Sequence, residues 1–124
     1  MDKIIIITMK QLTIDEANKM ILPGRTAEEY QKDYDYIIEL AKPRGLDKSK
    51  IDFYCETHHV QCRCLGGSED SSNLRNLSYL EHVVCHILLY RIHPENNKLF
   101  YPAWAMTLGW ASKNNKGIWR HKCR

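Results

Sequence analysis

A chain of 124 residues, 44% hydrophobic and 27% charged, has room for one packed domain and the composition of an ordinary globular protein. No apolar run is longer than the one at residues 4–7, far below the roughly 20 residues of a membrane-spanning helix, and no signal-peptide cleavage site follows it. The expectation is a single domain over residues 1–124, cytoplasmic and without a membrane partner. Charge is unevenly spread: residues 1–86 hold 11 Lys/Arg against 14 Asp/Glu, and residues 87–124 hold 7 against 1. A basic final third suits phosphate backbones, and equally a solubilising tail. Five cysteines, Cys55, Cys62, Cys64, Cys85 and Cys123, are an odd number without an export signal, which favours free thiols over a disulfide framework.

In chain order, residues 2–8, β-branched from 4 to 8, read as a short strand. Thr13 with Glu16 and Thr26 with Glu29 have the form of capping boxes that open helices. Behind the second box, Ala27, Tyr30, Tyr34, Ile37, Ile38 and Ala41 recur at helical spacing and stop before Pro43 and Gly45. This helix is given a packing role and no chemistry. Ser78 with Glu81 opens a third helix, striped by Leu80, Val83, Val84, Ile87 and Leu88 and ended by Pro94. Before it lie two extended stretches, near residues 54–62 and 74–77, separated by the Gly66-Gly67-Ser68 loop. The regions are thus an N-terminal part over 1–45, a core over 52–93 and a basic extension over 94–124.

Four of the six histidines fall between residues 58 and 86 of that core. His82 and His86, four apart on a helix, share one face and can grip one ion. His58 and His59, adjacent in a strand, point to opposite sides, so only one joins the helical pair. One ligand beside one free base is what metal-assisted hydrolysis needs. His93 is about 10 Å beyond His86, too far to share the ion. Trp104 and Leu108 are four apart and read as core packing.

The segment from Glu56-Thr57-His58-His59 through Cys62-Arg63-Cys64-Leu65-Gly66-Gly67-Ser68 to Asn73-Leu74, Glu81-His82 and His86 resembles the HNH nuclease family. Its three histidines are similar to those of the bacterial colicin DNases, and Gly66-Gly67-Ser68 with Glu81-His82 is closer to phage homing endonucleases. The resemblance implies an α+β, ββα-metal fold with additional packing helices, in which His58, His82 and His86 bind one divalent ion. It implies that His59 is the general base, that Asn73 braces the loop, and that DNA is cut to 5′-phosphate and 3′-hydroxyl ends. Cys62 stands where the family usually has proline. Arg63 beside it suits the scissile phosphate.

Three imidazoles are borderline-soft donors, so zinc, nickel, cobalt or manganese is expected ahead of magnesium. Double-stranded DNA is the expected partner, with Arg63, Arg91, Lys113, Lys116 and Arg120 on its phosphates, and a homodimer stays open. Two rival readings remain. One is a zinc-stabilised nucleic-acid-binding module built on Cys55, Cys62, Cys64 and Cys85, though these lack Cys-x-x-Cys spacing; the other is an inactive HNH-like interaction module.

Overall fold

In a computed structural model, which describes residues 9–114, three helices start at the three capping boxes. Helix α1 (Ile14–Met20) follows Thr13, α2 (Ala27–Ala41) follows Thr26, and α3 (Tyr79–Ile92) follows Ser78. In each box the hydroxyl accepts the N–H of the third helical residue, whose Glu side chain reaches back to the cap's own N–H. Residues 2–8, expected as a strand, lie outside the described residues.

Two strands, β1 (Cys55–His59) and β2 (Leu74–Ser78), pair antiparallel with Cys55 opposite Ser78 and His59 opposite Leu74. Strand β2 runs straight into α3 through Ser78, giving an α+β architecture compatible with a ββα-metal arrangement. Helix α3 is the hub, packing on α1, α2, a fourth helix and both strands. Val84, Cys85, Leu88 and Leu89 meet Tyr34, Ile37 and Ile38 of α2, Ala17 and Met20 of α1, and Leu77 of β2. The expected face of α2 is the buried one, except for Ala27, which is exposed.

The fourth helix, α4 (Asn97–Asn114), replaces much of what the sequence reads as an extension. Its start is marked by the Asn96 side chain, which accepts the Lys98 N–H at 3.0 Å. Pro102 interrupts its donor ladder, which is why local propensity argues against it. Leu99 and Ala103 are buried among its described side chains. Trp104, expected in the core, is 48% exposed, because the inward face runs through 99 and 103. Gly109 lets α4 approach α3: a Cβ there would overlap the Tyr79 hydroxyl.

One buried ion pair joins these parts. Arg44, just past α2, grips Glu81 with two bonds, Nη1 to Oε1 at 2.6 Å and Nη2 to Oε2 at 2.8 Å, both residues being nearly inaccessible. The guanidinium also donates to the carbonyls of Asn76 and Lys10, and the carboxylate also accepts the N–H groups of Leu12 and Ser78. The sequence identifies Glu81 only as a capping residue.

Glu81→Ala is expected to cost about 3–5 kcal/mol, because it leaves a buried guanidinium uncompensated. Glu29→Ala, which removes an exposed cap and a solvent-exposed ion pair with Arg25, should cost far less. Urea unfolding of the two variants makes the comparison; equal losses would mean that the buried pair contributes nothing beyond its cap.

Candidate metal centre

Strand β1 and the first half of α3 set the positions of the histidines. His58 is buried, 3% exposed, and opposite Arg75 in the ladder. Because α3 starts at Tyr79, His82 and His86 fall on its first two turns facing β1. Ring centroids of His58 lie 5.2 Å from His82 and 5.3 Å from His86, and those of His82 and His86 are 4.9 Å apart. One nitrogen from each ring lies within 4.8 Å of the others, a set that can hold a metal ion. Among the described residues this is the one such group of His, Cys, Asp and Glu. The four described cysteines form no such group: Cys55 and Cys85 are buried, and Cys62 and Cys64 lie side by side, Sγ to Sγ 2.8 Å.

Burial is the main reason two of these rings, His58 and His86, stay neutral. It drives His58 well below its usual 6.5, helped by His86, His82 and His59. His86 falls to about 4 through burial first and His82 second, against a smaller opposing pull from Glu56. Neutral imidazoles keep lone pairs for a cation.

Two side chains that sequence reading leaves without a role hold the rings. Glu56 Oε1 lies 2.8 Å from His82 Nδ1, so His82 carries its proton there and offers Nε2. Tyr34 of α2 places its hydroxyl 2.8 Å from His58 Nε2. A period-two reading of β1 places Glu56 on the side of His58; Tyr34, 24 residues away, has no such signal.

His59, pointing to the other side of β1, has Nε2 3.0 Å from both carboxylate oxygens of Glu69. Arg63 Nε donates to the same carboxylate at 2.7 Å. The contact with His59, then that with Arg63, holds the Glu69 carboxyl below its usual range. A cavity of about 220 Å³ brings His58, His82 and His86 together with His59, Arg63, Cys62 and Thr57.

Asn73 closes the loop between the strands. Its Oδ1 accepts the Gln61 N–H at 2.8 Å, and its Nδ2 donates to the carbonyls of Gln61 and Ser68. Gly66 takes a left-handed φ of 88°, and a Cβ on Gly67 would overlap the Gln61 carbonyl oxygen. Cys62 has φ −55°, which a proline also adopts, so its substitution leaves the turn intact.

Of the residues expected to contact phosphate, Arg63 lines the cavity. Arg91 is placed elsewhere, its guanidinium over the Tyr30 ring at 5.8 Å. The Lys113 side chain, Lys116 and Arg120 lie outside the described residues. His93 sits past the end of α3 near Glu95, away from the cluster. No helix among the described residues is long and apolar enough to cross a membrane.

Comparison with curated proteins finds relatives in Enterobacteria phage T4. The chain is 45% identical over 76 residues to its probable mobile endonuclease D, covering 61% of this chain and 29% of that protein. It is 44% identical over 64 residues to probable mobile endonuclease B, covering 52% and 24%. It is 39% identical over 71 residues to probable mobile endonuclease E, covering 57% and 48%. The aligned stretches therefore span less than half of each of these relatives. No family model matches the chain, and no solved structure does.

Burial of His58 and His86 fixes a pH dependence of stability. The folded His86 value near 4 lies below the ordinary 6.5, so as pH falls the unfolded chain takes up its proton first. Stability is whole above about pH 6.5 and declines on the way to about 4, by on the order of 3 kcal/mol for His86. His58 acts in the same direction. Urea midpoints recorded between about pH 7.5 and about pH 4.5 should fall in wild type, and the slope should flatten in His86→Ala.

Proposed function

We propose that this chain is a metal-dependent DNA endonuclease of the HNH type, with its ββα-metal core over residues 52–93 of a domain spanning 1–124. The observation that carries this reading is the shared cavity: three converging imidazoles, a separate imidazole and an arginine open onto one space. The probable mobile endonucleases among its relatives support the same reading.

His58, His82 and His86 would hold the cation, with zinc, nickel, cobalt or manganese favoured over magnesium by the nitrogen donors. When bound, such an ion stabilises negative charge on a phosphate oxygen and on the departing 3′ oxygen. His59 gives its Nε2–H to Glu69, which leaves the Nδ1 lone pair to take a proton from the attacking water. Arg63, mostly exposed and already turned toward an anion, exchanges Glu69 for the scissile phosphate. Asn73 keeps the loop closed beneath them. Hydrolysis leaves 5′-phosphate and 3′-hydroxyl ends on double-stranded DNA. One such centre cuts one strand at a time, so a double-strand break calls for a homodimer. The basic segment, with Arg91, Lys113, Lys116 and Arg120, adds phosphate contacts, and the protein works in a bacterial cytoplasm.

In a plasmid-nicking assay with manganese, nickel or cobalt, His59→Ala is expected to lower the rate by about 10²–10⁴-fold. Zinc affinity, read by calorimetry, should barely change. Loss of zinc binding with activity would reverse the roles of His58 and His59. A protein that binds zinc and DNA but never nicks would be a binding module instead. An enzyme that works best in magnesium, with zinc unable to compete, would exclude the three histidines as ligands.

Removing residues 113–124 should weaken DNA binding and flatten its dependence on salt, by about 0.9 in log–log slope for each phosphate that the shortened protein no longer neutralises. An unchanged slope would make that segment a solubilising tail.

A further inference from the structure

Tyr34 stands on α2, outside the ββα unit, with its ring buried. Its hydroxyl has two partners: the Val60 carbonyl at 2.6 Å and His58 Nε2 at 2.8 Å. A phenol carries one proton, and with an ordinary pKa of about 10 it keeps that proton at neutral pH. A carbonyl can only accept, so both hydrogen bonds form when the phenol donates to Val60 and accepts from the imidazole. His58 must then carry its proton on Nε2, and its lone pair is on Nδ1.

We propose that Tyr34 is a positioning residue that locks His58 in the Nε2–H tautomer, so that His58 meets the cation through Nδ1 while His82 meets it through Nε2. The cation-binding half rests on the metal-centre reading above; the tautomer lock does not. Helix α2 and β1 then each supply one fixing group, Tyr34 and Glu56, and the two fix opposite tautomers. A neutral imidazole free to choose its tautomer offers the wrong nitrogen part of the time. Partners of this kind are worth about 10–100-fold in metal affinity.

The test uses ¹⁵N-labelled protein and long-range ¹H–¹⁵N imidazole spectra recorded without metal near neutral pH. Wild type should show His58 protonated at Nε2 and bare at Nδ1, and added zinc should shift the Nδ1 resonance. Tyr34→Phe should abolish the single-tautomer pattern and weaken zinc binding by about 10–100-fold. Tyr30→Phe is the control: it removes another buried phenol hydroxyl from the same helix, one bonded to the Leu22 carbonyl, and should leave both readouts unchanged.

A wild-type His58 protonated at Nδ1 overturns the proposal, and so does a Tyr34→Phe that keeps the wild-type tautomer and zinc affinity. If Tyr34→Phe fails to fold, the wild-type spectrum decides alone. A wild type with the Nε2–H tautomer that takes up no zinc leaves the lock standing and overturns the metal-centre reading instead.

Discussion

With one carboxylate, Glu81 holds the N–H groups of Ser78 and Leu12 and both arms of the Arg44 guanidinium. This junction fixes where β2 stops and α3 begins. His82 is the next residue along, and His86 lies one turn beyond it. A start displaced by one residue would rotate both imidazoles by about 100°, away from His58. The same arginine ties the end of α2 to the backbone at Lys10 and Asn76. The element that bears Tyr34 and the two that bear the histidines are therefore held by one interaction. An apolar replacement could supply comparable burial but would not single out one register, and register is what the cluster needs.

Local physics is the part of this molecule that its sequence displays. The three capping boxes, the period of α2 and the four-residue spacing of His82 and His86 act over one or two helical turns, and all appear where they are expected. Gly66 and Gly67 are legible for the same reason, one through backbone conformation and the other through close approach. Arg44 and Glu81 are 37 residues apart, and Tyr34 and His58 are 24 apart. No periodicity links such pairs; they meet only because α2 packs on α3. Helix α4 is masked by Pro102, and its buried face is decided by α3 rather than by its largest side chains, which is why Leu99 is inside while Trp104 is not.

The resemblance to HNH nucleases marks the residues that would do chemistry, but not those that orient them. Glu56, Glu69 and Tyr34 each hold one histidine nitrogen. Imidazole has two similar nitrogens, so a site built from it is defined only when every ring has its proton placed. Sequence spacing places the rings. The protons are placed by partners that come from a strand, a loop and a distant helix.

Two rings of the cluster meet at nitrogens that a cation would share. His86 Nε2 lies 3.2 Å from His82 Nε2, and His82 carries its proton on Nδ1 toward Glu56. In a singly protonated His82, Nε2 is then the acceptor, which makes His86 the donor, protonated at Nε2. His86 binds a cation through that nitrogen only by moving its proton to Nδ1, whereas His58 and His82 already present bare nitrogens. Two rings would thus be prepared in advance, and the third would give up its hydrogen bond to a cation. Burial holds His58 and His86 neutral before binding, so neither leaves an unpaired positive charge in the half-buried cavity.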